Sequence, residues 1–183
     1  MPKKIIILNG SPHKKGNTSA LVRAFTAGAE SAGHTVTEFF LGSMNIHGCK
    51  GCFGGHSSRV YPCVQRDDMD KIYPVVRECD VIVFASPLYY WNMSGQIRTA
   101  VDRLFALEEG DGNLLREYGR ASALLMAAEG SGFEDVLLYY THLLEHLKWN
   151  NLGHVLAGGN GDIGDIEGKP EVSAAYELGK SIT

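Results

Sequence analysis

Short unbroken apolar runs alternate along this chain with stretches whose apolar residues recur every three or four positions. Lys4-Ile5-Ile6-Ile7-Leu8-Asn9 is the first run, and its β-branched residues predict a strand buried on both faces. Thr35–Leu41, Asp80–Ala85, Ala121–Ala128 and Leu152–Gly158 predict four more strands. Between them, Leu21, Phe25, Ala29 and Ala32 share one helical face. So do Met69, Ile72, Val76 and Cys79, and then Ile97, Val101, Leu104 and Phe105. Asn17 or Thr18 can cap the first helix, Gly33 can stop it, and Ser94 can cap the third. Pro74 predicts a kink or restart in the second. Glu134–Trp149 forms a fourth helix, and a fifth begins near Pro170, a residue favoured at the first helical position. Strands separated by helices imply a doubly wound α/β fold, with a parallel sheet and right-handed crossovers. With no linker or repeat, one domain is expected over residues 1–183.

Composition narrows the function. Hydrophobic residues at 44% and charged residues at 21% exclude a disordered chain. The balance of 17 basic against 21 acidic residues, a net charge of -4, speaks against a nucleic-acid binder. No apolar run reaches the length of a signal sequence or a membrane span, so no membrane association and a cytoplasmic location are expected. The four cysteines then stand as reduced thiols.

In an open parallel sheet, ligands bind beyond the carboxyl ends of the strands. Three predicted loops fall there. The first is Gly10-Ser11-Pro12-His13-Lys14-Lys15-Gly16-Asn17-Thr18. Five residues separate its glycines and Asn17 stands where a Walker lysine would be, so it is not a nucleoside-triphosphate loop. The GxGxxG spacing is absent too. What remains is a hydroxyl- and amide-rich loop entering a helix N-terminus, suited to a terminal phosphate; the plain alternative is an ordinary turn with a cap. The second loop, Ser86–Ser94, carries Tyr89-Tyr90-Trp91. These aromatics either cover a planar ring or pack under a neighbouring loop or subunit. The third, Glu129-Gly130-Ser131-Gly132, either brings backbone N–H groups to a ligand or is a flexible turn.

Gly10-Ser11-Pro12 followed by Gly16-Asn17-Thr18, then Ser86-Pro87-Leu88-Tyr89-Tyr90 and Ser94, resembles the NADPH-dependent FMN reductase family of the flavodoxin-like superfamily. Asp67-Asp68-Met69 and Ala175–Lys180 are similar to it as well, so the resemblance spans nearly the whole chain. It implies a five-stranded flavodoxin-like sheet in the order 2-1-3-4-5, with FMN at the strand ends. It implies that Ser11, His13, Lys15, Gly16, Asn17 and Thr18 hold the phosphate, His13 standing where the family usually has Arg. Pro87, Leu88, Tyr89, Tyr90, Trp91 and Asn92 would wrap the isoalloxazine, largely through backbone groups. Glu129, Gly130 and Gly132 would meet its pyrimidine edge with backbone N–H groups.

Cys49-Lys50-Gly51-Cys52 is a CxxC, and Cys63 follows after ten residues. Related iron–sulfur flavoproteins carry a compact four-cysteine motif here, whose third position is Gly55 in this chain. The expectation is no bound metal. Zinc on the three cysteines with His47 or His56, or a cluster with an unusual ligand, are the alternatives. His142 and His146, four residues apart on one helix face, and Asp162, Asp165 and Glu167 in one loop are expected to be solvated or interfacial.

The resulting expectation is an FMN-dependent oxidoreductase that takes hydride from NADPH or NADH and reduces a quinone, a flavin or another small acceptor. No side chain is assigned a catalytic role, because FMN carries the chemistry. The alternatives are a flavodoxin-like or iron–sulfur electron carrier and a non-redox flavin-binding module. The broad apolar surface of the 134–149 helix predicts a homodimer or homotetramer.

Overall fold

A computed structural model describes residues 1–55, 58, 60–109, 113–116 and 119–183. The elements run β1 (Lys4–Asn9), α1 (Asn17–Ser31), β2 (Thr35–Phe40), a single 3-10 turn (Leu41–Ser43), α2 (Met69–Glu78), β3 (Val81–Tyr89), β4 (Asn92–Met93), α3 (Gly95–Glu108), β5 (Ala121–Ala127), α4 (Glu134–Leu147), β6 (Asn150–Ala157) and α5 (Pro170–Lys180). Five long strands form a parallel sheet in the order β2-β1-β3-β5-β6. Counting only those five along the chain gives the expected 2-1-3-4-5 order. The sixth strand, β4, is antiparallel and pairs with the far end of β3.

The alternation inside each apolar run decides which helices it meets. Ile5, Ile7, Val83 and Leu125 face α1 and α5, where Leu21, Phe25 and Ala175 pack on them. Ile6, Leu8, Ile82, Phe84 and Leu124 face the other way, against Ile72, Ile97, Leu104 and Tyr140 from α2, α3 and α4. Burial on both faces explains why β1 and β3 are continuous apolar runs rather than alternating ones.

Several local expectations need correction. Gly16, not Asn17 or Thr18, is the N-cap of α1, and no side chain caps it. Helix α2 runs through Pro74 as one helix, with Met69, Ile72, Tyr73 and Val76 all buried on the sheet. Tertiary burial of that face outweighs the loss of one backbone hydrogen bond at the proline. Helix α4 stops at Leu147: Lys148 takes a left-handed conformation (φ 56°) and turns Trp149 inward. The Trp149 N–H reaches back to the Leu144 carbonyl at 3.0 Å, and its indole stacks 6.5 Å from the Phe84 ring. The Ser86–Met93 segment is not simply a loop, because β3 continues to Tyr89 before turning. Ser94 does cap α3, accepting the Ile97 N–H at 3.5 Å. Among the described residues no helix is long and apolar enough to cross a membrane.

Candidate functional site

The carboxyl ends of β1, β3, β5 and β6 open onto one cavity of 330 Å³, within the usual size range of small-molecule sites. Asn9, fully buried at the end of β1, starts the first wall. Its Oδ1 accepts the Ser11 N–H at 3.0 Å, and its Nδ2 donates to Ser19 Oγ and Glu38 Oε1. The next residues wind round the His13 carbonyl, which accepts from Gly16 N–H at 2.9 Å and from Ser19 Oγ at 3.1 Å. The His13 N–H donates to Ser11 Oγ at 3.1 Å.

This winding leaves the start of α1 open. No protein group among the described residues accepts from the backbone N–H of Asn17, Thr18 or Ser19. Thr18 is only 3% exposed, and its hydroxyl has no protein partner among the described residues although Thr18 lines the cavity. No acidic residue lies in the first turn of α1. Three unpartnered donors at a helix N-terminus, joined by a hydroxyl, form a site for an anion. FMN carries such an anion as its terminal phosphate, so the residues present fit it.

The second wall is a hairpin. Tyr89 pairs with Asn92, and the two residues between them, Tyr90 (φ 47°) and Trp91 (φ 58°), are both left-handed. Positive φ at both central positions marks a type I′ turn, which normally takes Asn-Gly. Each bulky residue held there costs roughly 1–2 kcal/mol. The strain holds three aromatic side chains outward, with Tyr90 94% and Trp91 59% exposed. Two serines staple the hairpin base to the first loop: Ser86 Oγ accepts the Ser94 N–H at 2.8 Å, and Ser94 Oγ donates to the Gly10 carbonyl at 2.8 Å.

The third and fourth walls come from the loops after β5 and β6. A side chain at Gly158 would meet the Gly130 carbonyl at 2.9 Å, so the two loops come within backbone contact there. Gly159 N–H donates to the Glu129 carbonyl, and Asn160 N–H to that of Ala128.

Of the site residues expected from sequence, Ser11, His13, Gly16, Asn17, Thr18, Pro87, Leu88, Tyr89 and Glu129 line this cavity. Lys15, Tyr90, Trp91, Asn92, Gly130 and Gly132 flank it without lining it, and Trp91 leans against Gly132. The Asn17 side chain turns to the loop after β6, donating to the Asp162 carbonyl and accepting from the Gly164 N–H. Asn160, Gly161, Asp162 and Ile163 also line the cavity and were missed. Their signal was position: Gly158–Asp162 follows the last parallel strand, yet its glycines and acids read as solvated loop.

A second cavity lies beside α3. Cys49, Cys52 and Cys63 line it together with Phe53, Arg103 and Glu109, and all four cysteines of the chain are free. Cys79 is elsewhere, buried at the end of α2 with its thiol donating to the Val76 carbonyl; burial pushes that thiol up to about 11. Gly55 N–H donates to Glu109 Oε2 at 3.0 Å, and that oxygen fills the space where a Gly55 side chain would begin. His47 faces Asp67, at 3.4 Å, and does not line this cavity. His56 lies outside the described residues. Among the described residues no three His, Cys, Asp or Glu side chains converge as a metal site.

A buried ion pair, Arg103 with Asp67 at 2.6 Å, helps tie down the loop carrying these cysteines, both side chains almost fully buried. Arg103 also donates to the His47 carbonyl at 2.8 Å. Burial pushes the Asp67 carboxyl up, but the Arg103 guanidinium and the N–H groups of His47 and Met69 outweigh it and hold it below the usual range. His146 Nε2 lies 3.0 Å from Glu108 and 2.6 Å from the Arg116 guanidinium, so its ring is engaged by these two neighbours.

The family model described as NADPH-dependent FMN reductase matches residues 3–162. An iron–sulfur flavoprotein of Archaeoglobus fulgidus is 33% identical over 98% of this chain and 78% of its own length. An iron–sulfur flavoprotein of Methanosarcina thermophila is 28% identical over 91% of this chain and 83% of its own. Among solved structures, the NAD(P)H:quinone oxidoreductase from Methanothermobacter marburgensis superposes with a TM-score of 0.69 at 18% identity, covering 98% of this chain and 96% of its own, which shows a shared fold. A helix start with unpartnered N–H groups and a strained aromatic hairpin, both at the strand ends, agree with these likenesses. The chain belongs to the NADPH-dependent FMN reductase family and is a flavoprotein oxidoreductase that uses FMN and NAD(P)H.

Proposed function

We propose that this chain holds FMN in the 330 Å³ cavity and passes electrons from NADH or NADPH to a small acceptor such as a quinone or a free flavin. The observation that carries this reading is the start of α1. Three backbone N–H groups and the Thr18 hydroxyl lack protein partners there among the described residues, and they border the strand ends where a flat ring has room. Bound FMN would supply the acceptance and return of hydride. The protein's part is to bind and to orient. The N–H groups of residues 17–19 and the Thr18 hydroxyl take the phosphate, with Ser11 and His13 on the same wall. The hairpin at Tyr89–Asn92 frames the ring without sealing it, so donor and acceptor use one open face in turn. No side chain is needed as acid, base or nucleophile.

Anaerobic mixing of the FMN-loaded protein with each nicotinamide tests this directly. Rapid bleaching by NADH or NADPH, followed by recovery on adding a quinone, is the expected result. Bleaching only by a one-electron donor would replace the reductase by an electron carrier.

An iron–sulfur cluster, named in several relatives, is left out of this proposal. A [4Fe–4S] cluster usually has four cysteine ligands. Here three cysteines line one cavity, Cys79 is buried away from it, and the Glu109 carboxylate stands against Gly55. Stoichiometric iron and sulfide after anaerobic purification would overturn that choice.

We also propose a homodimer or a dimer of dimers in the cytoplasm. Helix α4 buries Val136, Tyr140, Leu144 and Leu147 on the sheet and leaves Leu138 57% exposed, with Phe105 of α3 41% exposed. Light scattering that gives a monomer at micromolar concentration would reject the oligomer.

A further inference from the structure

We infer that Asn17 is a positioning residue and not a phosphate ligand: together with Lys169 it clamps the 158–164 loop against the start of α1, so that one helix both receives the phosphate and holds the far wall of the cavity. This rests on the FMN reading above and deepens it.

The Asn17 side chain is engaged at both ends. Its Nδ2 donates to the Asp162 carbonyl at 2.8 Å and its Oδ1 accepts the Gly164 N–H at 2.9 Å. The two contacts also settle the orientation of the amide, since a flipped amide would set donor against donor at Gly164. Both partners are backbone groups nearly 150 residues along the chain. A side chain aimed at a phosphate in the cavity would not be built into such a bridge.

Lys169 holds the other end of the same loop. Its ammonium donates to the carbonyls of Gly158 (3.2 Å) and Gly159 (2.7 Å) and to Asn160 Oδ1 (3.0 Å). Three N–H groups meet three acceptors, so this cation is saturated within the loop and is not a free charge for the ligand. Asn160 then donates to the carbonyls of Ala157 and Gly158. Residues 158–160 are thus pinned from the sheet side. Asn17 supplies the bridge that ties 162–164 to the helix, beside the local turn in which the Asp162 N–H donates to Asp165. Residues 160–163 line the cavity, and Ile163 stands 63% exposed at its rim. A loosened clamp therefore disturbs whatever sits against this wall, phosphorylated or not, whereas loss of a phosphate ligand weakens only a phosphorylated flavin.

The test is titration of the flavin-free protein with FMN and with riboflavin, followed by flavin fluorescence, in wild type, Asn17→Ala, Lys169→Met and Thr18→Val. Two lost hydrogen bonds predict that Asn17→Ala weakens FMN and riboflavin alike, by about tenfold each, and leaves their affinity ratio within about twofold of wild type. Lys169→Met is expected to weaken both ligands in the same way, and the double variant less than the product of the two. Thr18→Val, the control, lowers the FMN-to-riboflavin ratio. Amide exchange at 161–164 should rise in Asn17→Ala while the body of α1 keeps its protection. A ratio that falls in Asn17→Ala as it does in Thr18→Val overturns the clamp and returns Asn17 to the phosphate. Unchanged affinities in Lys169→Met, a variant that does not touch α1, overturn it too. If wild type prefers FMN no more than riboflavin and Thr18→Val changes nothing, the phosphate reading itself fails, and the clamp with it.

Discussion

The two cavities of this molecule are held in opposite ways. The strand-end cavity rests on the ends of buried parallel strands and is closed by many modest hydrogen bonds: Ser11 to Asn9, Ser94 to Gly10, Asn17 to Asp162, Lys169 to three oxygens. The cysteine loop before α2 has no strand beneath it among the described residues; its fully buried tie is the ion pair of Asp67 with Arg103, with Gly55 N–H to Glu109 and Asn45 N–H to Asp68 nearer the surface. Around it, Phe53, Val60, Tyr61 and Val64 lie largely exposed. A distributed network degrades by steps when one member is lost, whereas a single buried pair fails as a unit. The first design suits a site that must keep its shape without its ligand.

Removing the ion pair sharpens this contrast most. Arg103→Met leaves the Asp67 carboxylate buried without its partner and should destabilise the protein by about 3–5 kcal/mol. In urea titrations the loss should be large, yet under native conditions FMN affinity should stay within about twofold of wild type. A comparable loss of FMN affinity would show that the two cavities are one cooperative unit.

Thr18→Val comes next. A hydrogen bond to a charged phosphate contributes about 1.5–3 kcal/mol, so FMN should bind about ten- to a hundredfold more weakly. Riboflavin should be unaffected. Fluorescence titration with the two ligands reads both numbers, and equal losses would remove the phosphate from the start of α1.

The hairpin offers a smaller effect with the opposite sign. Replacing Tyr90 and Trp91 with Asn-Gly matches the turn type and should raise stability by about 1 kcal/mol. Steady-state NAD(P)H oxidation should slow, because the aromatic frame of the ring is gone. A stability gain with unchanged turnover would make the aromatics ornamental to the reaction.

The smallest effect is in the pH dependence. The folded pKa of Asp67 is lowered below the unfolded value of about 3.9. Its stabilisation is therefore complete above about pH 4 and fades as pH falls through the lower folded value. Urea midpoints between pH 3 and pH 7 should show a flatter acid limb in Asp67→Asn than in wild type.

The legible parts of this protein are those whose causes are local. A β-branched run such as Ile5–Leu8 is a strand because its own side chains fit a pleat buried on both faces. Ser94 caps α3 through a hydroxyl that meets an N–H three residues on. The order of strands and helices follows from period and chirality. Because parallel strands all end on one side, three of the four cavity-lining loops could be placed before any coordinates. The least legible features are Pro74 inside a continuous α2, the left-handed Tyr90 and Trp91, and the carboxylate of Glu109 filling the side of Gly55. In each, a local preference gives way to burial or to a partner far along the chain.

Asn17 shows where that boundary falls. From the chain alone come the strands and helices, the loop after β1 and a helix start open to an anion, because each depends on residues within a few positions of one another; the order of the strands in the sheet follows from the family resemblance. Only the folded molecule decides that the Asn17 amide turns toward Asp162 and Gly164, that Lys169 meets three oxygens of one loop, and that Arg103 reaches Asp67. Those choices depend on which groups arrive together once the sheet has closed. The free energy of a buried polar group is set by the partner it finds there, not by its neighbours in sequence.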